Sequence, residues 1–152
     1  MRKPLWRCPS CGHEFVSRNA THSCRNYDLE DRFRRKPLRI RQLYEAFVAL
    51  VRGCGPVKIE PKRDGIALQV RVRFAGVQPR QKGIRCGLWL TRKVPDAPHL
   101  VRIETWMPHA HGHYFWIENA EQLCDLVPLI REAYAIGEQK HLKPRRREGG
   151  RS

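Results

Sequence analysis

Apolar residues are sparse over the first 36 positions of the chain and regularly spaced from there to residue 137. Ile40, Leu43, Tyr44, Phe47 and Val51 recur at the helical period, and Val48 and Leu50 widen the stripe. They predict a helix that stops at Gly53, Gly55 and Pro56. Extended segments follow. VKIEP (57–61) is a short candidate strand, and Asp64-Gly65 is a turn signal. Ile66, Leu68, Val70, Val72 and Phe74 alternate with Ala67, Gln69, Arg71 and Arg73, which predicts one long strand with an apolar and a partly basic face. In the next strand Ile84, Cys86, Leu88 and Leu90 face one way, and Arg85, Trp89 and Thr91 the other. Residues 99–107 and 113–118 read as a hairpin around Pro108–Gly112. The last pattern is helical: Asn119 and Gln122 fit a capping box, and Leu123, Leu126, Val127, Ile130 and Tyr134 form the stripe. Gly137 suits the stop, and Pro128 predicts a kink or split after Leu126–Val127.

The fold class expected from this order is α+β. A mainly antiparallel sheet of about five strands is flanked by two helices, because short connections between consecutive strands favour antiparallel pairing. The predicted organisation is a Cys-rich zinc-binding module (1–25), a charged linker (26–36), the α+β domain (37–137) and a disordered basic tail (138–152). The tail EQKHLKPRRREGGRS has one Leu and no aromatic residue, too little to bury.

Charge changes this picture more than composition does. Lys and Arg number 30 against 15 Asp and Glu, for a formal net charge of +15. An apolar share of 41% is that of an ordinary globular chain. The longest apolar stretch, around Tyr44–Val51, is interrupted by Glu45 and far too short to span a bilayer. MRKPLWRC has no apolar core of a signal peptide, so a cytoplasmic location is expected, with no membrane partner. A field of one sign concentrates polyanions, nucleic acid foremost. The competing reading is an ordinary Arg-rich surface or one that meets an acidic protein.

Six cysteines fall into two groups. Cys54, Cys86 and Cys124 are isolated and read as small buried or half-buried residues. CPSCGHEFVSRNATHSC instead sets Cys8, Cys11, His22 and Cys24 within one short segment. Zinc takes four soft or borderline donors in a tetrahedron, and a Cys-Pro-x-Cys-Gly turn aims two sulfurs at one ion. The expectation is one structural Zn2+ held by Cys8, Cys11, His22 and Cys24, with Trp6, Phe15 and Val16 as a minimal core. A redox pair of Cys8 and Cys11 fits less well, because no βαβ setting surrounds it. His22 and Cys24 are too close together for the helix of a DNA-reading C2H2 finger.

WRCPSCGHEFVSRNATHSC, with LYEAFVALVRGCGPVKIEP and LIREAYAIG downstream, resembles a bacterial family of unknown function. Its members pair a CPxCGxxF…NxxHxC zinc segment with a small α+β domain. The resemblance covers most of residues 6–137 and implies a compact intracellular protein, without implying an activity.

Two further constellations carry chemistry. His109, His111 and His113 alternate in HAHGH and would chelate a second metal if extended; a solvated loop is the plainer expectation. Arg71, Arg73 and Arg85 oppose the apolar register and are expected to share one sheet face with Trp89, a platform for polyanions or single strands. Arg145, Arg146 and Arg147 in the tail add phosphate-neutralising charge, while Trp106 and Trp116 fit core positions. The expected function is a non-catalytic, zinc-containing nucleic-acid-binding protein acting mainly by phosphate neutralisation. The alternatives are a protein-interaction adaptor with a structural zinc and an enzyme with its site in the α+β domain.

Overall fold

A computed structural model describes residues 4–20 and 27–140. Two minimal strands, β1 (Trp6–Arg7) and β2 (Glu14–Phe15), pair antiparallel at the start. A 3-10 turn at Leu29–Phe33 leads into α1 (Leu38–Arg52). Then come β3 (Lys58–Pro61), β4 (Ile66–Gln69), β5 (Arg73–Pro79), β6 (Ile84–Leu90), β7 (Leu100–Met107) and β8 (Ala110–Ile117). The described residues end with α2 (Ala120–Cys124), α3 (Val127–Gly137) and a turn.

The six strands β3 to β8 form one antiparallel sheet in the order β3-β4-β5-β6-β8-β7. The helices cover one face of it. Ile40, Leu43, Tyr44, Phe47, Val48 and Val51 of α1 are all buried, as the helical stripe requires. They pack with Leu129, Ile130, Ala133 and Tyr134 of α3 against the inward residues of the strands. On β6 these are Ile84, Cys86, Leu88 and Leu90, so Arg85, Gly87 and Trp89 point to the opposite, uncovered face. Asn119 and Gln122 form the expected capping box, and the final helix is split before Pro128, which sits in the first turn of α3.

Three expectations need correction. The alternating run 66–74 is a hairpin: β4 ends at Gln69, residues 70–72 turn, and β5 starts at Arg73. That split makes the strands six rather than about five. The turn is held by the end of α3, where Gly137 O accepts from the backbone N–H groups of Arg71 at 2.9 Å and Val72 at 3.1 Å. Second, the charged segment expected as a linker packs on the body over its described part. The Phe33 and Tyr44 rings lie 5.0 Å apart, Arg41 stacks over Phe33, and Arg32 donates to the carbonyl of Lys62 at 2.6 Å. Third, the 108–112 loop is only a tight turn at Pro108–His109, because β8 already begins at Ala110.

His22, Cys24 and the tail arginines lie outside the described residues. Among the described residues, no helix is long and apolar enough to cross a membrane.

Candidate functional site

The uncovered face of the sheet carries a row of small residues across its centre. Ala67, Gly76 and Gly87 are register partners on β4, β5 and β6, and Tyr114 on β8 continues the row. With no Cβ at Gly76 and Gly87, the six-membered end of the Trp89 indole lies close over the backbone. A Cβ at Gly87 would sit 3.0 Å from Trp89 Cζ3. Gly112 serves Trp106 in the same way, since a Cβ there would meet Cη2 of that ring at 2.6 Å. The rings of Trp89 and Trp106 are 5.9 Å apart, and those of Trp89 and Tyr114 6.5 Å. Trp106 is 47% exposed and Trp116 is half-buried on this face, so neither occupies the core position its strand setting suggests.

Beside the aromatic strip lies a groove of about 360 Å³, reaching from the β3–β4 turn to Trp89 and Tyr114. Its charged lining is Lys62, Arg63, Arg73 and Arg85 against Asp64 alone. Behind it the buried carboxylate of Glu60, on β3, faces two cations: Lys62 Nζ at 3.4 Å and Arg73 at 3.6 Å. One anion held between two cations fixes their positions and leaves the groove net positive. Arg85 Nε is buried and meets no hydrogen-bond acceptor among the described residues. A second depression of about 460 Å³ shares Arg63, Asp64 and Gln78 with the groove and adds Arg32, Lys36 and Arg80 against Asp31. Together they make a continuous basic track along one end of the sheet.

The structure thus brings Arg73, Arg85 and Trp89 together as the alternation predicts. It removes Arg71 from them. Arg71 sits in the β4–β5 turn, where its Nε donates to Gln139 Oε1 at 2.9 Å, on the helical side. Lys62, Arg63 and Tyr114 belong to the site and were not marked by the strand patterns. Glycine inside strands, at Gly76, Gly87 and Gly112, signals that a ring or a backbone approaches this face closely, without saying which residue it is.

The N-terminal segment docks near the groove. Glu14 O accepts from Gln69 Nε2 at 2.6 Å, and the Glu14 carboxylate pairs with Lys58 of β3. By alternation from Ile59 and Leu68, Lys58 and Gln69 lie on the uncovered side. The segment's own turn has the form a metal knuckle needs. Gly12 N donates to Cys8 O at 2.8 Å, Cys8 N to His13 O at 2.9 Å, and Gly12 adopts φ +80°. That loop carries Cys8 and Cys11 on one tight turn beside the Trp6–Phe15 ring pair.

The histidines of HAHGH do not converge on a metal. His109 lies exposed in the turn, while His111 and His113 are buried on the helical face of β8. Among the described residues no group of three or more possible ligands forms a cluster. His111 Nε2 donates to Pro108 O at 3.0 Å and its Nδ1 accepts from Thr105 Oγ1 at 2.8 Å. His113 Nδ1 donates to His111 O at 3.2 Å, and its Nε2 accepts from the Val94 N–H at 2.9 Å. Both rings are therefore occupied by local hydrogen bonds.

Burial lowers the pKa of His113, with the His111 carbonyl and Glu132 opposing that shift and the His111 ring and Arg92 adding to it. A lowered folded-state pKa means that the unfolded chain takes up the proton first. Stability is then complete above the unfolded value of about 6.5 and declines as pH falls toward the folded value. Protonation also removes the acceptor of the Val94 N–H. Urea midpoints measured between pH 7.5 and 5 should fall more steeply for the native chain than for His113→Gln. Parallel slopes would remove His113 as the cause.

The three isolated cysteines divide. Cys86 is fully buried and its thiol is pushed up by desolvation, which makes it inert. Cys54 is half-buried as expected, whereas Cys124 is exposed at the end of α2.

The model of one protein family, described as a domain of unknown function (DUF5655), matches residues 29–137. No curated protein and no solved structure matches the chain.

Proposed function

The chain belongs to the DUF5655 family, and from that premise we propose that its uncovered sheet face binds nucleic acid or a related polyanion without catalysis. The observation that carries the reading is the gathering of Arg73, Arg85 and Lys62 beside Trp89 and Tyr114 over a floor of glycines. Half-buried aromatic rings next to cations suit a strand whose bases stack and whose phosphates are neutralised. The continuity of the groove with the depression at Arg80 and Lys36 favours an extended ligand over a small one. The basic tail, with Arg145, Arg146 and Arg147, would add reach to the same electrostatic attraction.

We further propose that one zinc ion, held by Cys8, Cys11, His22 and Cys24, cross-links the N-terminal segment. The Cys8–Gly12 turn supports this assignment. The metal's part would be structural: it holds the segment whose Glu14 meets Gln69 and Lys58.

A second reading, docking of a protein partner, rests on edge strand β7. It leaves Val101 51% and Met107 64% exposed beside Trp106, and an unpaired strand edge invites another chain.

The full chain should bind a labelled oligonucleotide with log affinity that falls linearly with log salt. Arg73→Gln should shrink the slope by roughly 0.7 for a single strand, the share of one phosphate contact. Absence of binding at about 50 mM salt would end the polyanion reading, and a capture that survives nuclease would support the partner reading.

A further inference from the structure

The groove is narrower in meaning than a general basic surface, and its details select a form of nucleic acid. We infer that it holds one unstacked nucleotide of a single strand, with its base against Trp89 and its phosphate between Arg73 and Arg85. The inference rests on the polyanion reading and adds the strand class.

Three observations support it. First, the groove of about 360 Å³ is lined both by the rings of Trp89 and Tyr114 and by the cations Lys62, Arg63, Arg73 and Arg85. Rings beside cations at that scale suit one base and one phosphate rather than a duplex. Second, the buried Nε of Arg85 has no acceptor among the described residues. That Nε is closed to solvent, so an oxyanion would be met by the terminal nitrogens of the same guanidinium, which lines the groove. Third, Gly87 and Gly76 are the places where any side chain would displace the Trp89 ring or fill the groove. The floor is bare because the ring lies over it.

A duplex keeps its bases paired and stacked, and moving one into the groove would cost the unstacking energy. A single strand has already met most of that cost. The protein should therefore prefer single strands, with little regard to sequence, since every base offers a face to Trp89.

The test uses the full chain, Trp fluorescence and two probes at equal salt: a thymidine 12-mer and a hairpin duplex of equal phosphate count. The strand should bind at least about tenfold more tightly than the duplex, the share of roughly one stacked base. Trp89→Ala should erase most of that margin, while Trp89→Phe keeps a ring and restores it. Arg85→Lys keeps the charge but loses the planar fork of donors, and should weaken strand binding more than duplex binding, narrowing the margin between them. Circular dichroism of each variant separates loss of binding from loss of fold, and Trp89→Phe reports the site even if Trp89→Ala fails to fold. Equal affinity for strand and duplex, or a margin untouched by the Trp89 and Arg85 variants, overturns the inference and leaves the polyanion reading in place. No salt-dependent binding of either probe overturns both.

Discussion

Gly137→Leu should cost about 3 kcal/mol of stability, and Gly137→Ala about 1 kcal/mol. Gly137 closes α3, and a Cβ on it would lie 2.4 Å from Cδ1 and 2.9 Å from Cγ of Phe74. Phe74 is fully buried, edge-on to Tyr134 with ring centroids 5.5 Å apart. Tyr134 cannot recoil freely, because its hydroxyl donates to Pro56 O at 2.6 Å and a Cβ at Gly55 would already collide with it. Two effects compete in the alanine variant. Helix propensity favours Ala over Gly by about 1 kcal/mol, while overpacking costs about 1–3 kcal/mol. Overpacking should win, because relief requires moving the end of α3, whose Gly137 carbonyl anchors the β4–β5 turn through Arg71 N and Val72 N. Leucine adds volume that no rearrangement of one ring accommodates. Urea midpoints of the three chains should fall in the order Gly, Ala, Leu. An alanine variant as stable as the native chain would show that Phe74 yields easily.

The same glycine shows which parts of the fold were legible. Its place at the end of a helix could be read from the stripe of Leu123, Leu126, Ile130 and Tyr134. The reason for it could not, since glycine here is selected by a ring from β5, far away in sequence. The break in α2–α3 was legible because Pro128 acts on its own backbone, and the capping box because its partners are three residues apart. The turn at 70–72 was not legible. Val70-Arg71-Val72 contains no Gly, Pro or Asn, and its alternation continues into Phe74, so the periodicity runs through a bend that α3 imposes. Arg71 was misassigned for that reason alone. Likewise NYDLEDRFRRK has too few apolar residues to signal a fold, yet Leu29 and Phe33 pack at the core's margin and Arg41 caps Phe33.

For the site, Arg73, Arg85 and Trp89 were visible because each opposes an apolar position on its own strand. Tyr114 and Lys62 were hidden. Tyr114 joins the groove only because β8 inserts between β6 and β7, a strand order that no local pattern encodes. The histidines misled in the opposite direction. Alternation correctly put His111 and His113 on one side, but that side is the core, where backbone partners and Thr105 occupy their nitrogens.

On the proposed zinc assignment, removing the metal from the full chain with a chelator should loosen residues 4–20 and leave the sheet and helices folded. The segment's own secondary structure is β1 and β2, two residues each, with one ring pair, Trp6 and Phe15, 6.2 Å apart. A hairpin that short cannot stand alone in water, whereas zinc-finger peptides draw on the order of 10 kcal/mol from the metal. The body differs: its core runs from α1 through β6 to α3 and does not include Phe15 or Trp6. The two parts meet at Gln69 Nε2 with Glu14 O and at Lys58 with the Glu14 carboxylate. Loss of those two contacts should cost the body about 1 kcal/mol of stability, the scale of one hydrogen bond and one half-exposed ion pair. Amide spectra should therefore show signals of the segment collapsing while those of β5, β6 and β8 persist. Cys24→Ser should reproduce the chelated spectrum and lower the metal content from one ion per chain. Full zinc retention by that variant would remove Cys24 from the ligand set. Global unfolding on chelation would instead mean that the segment acts as a keystone of the sheet.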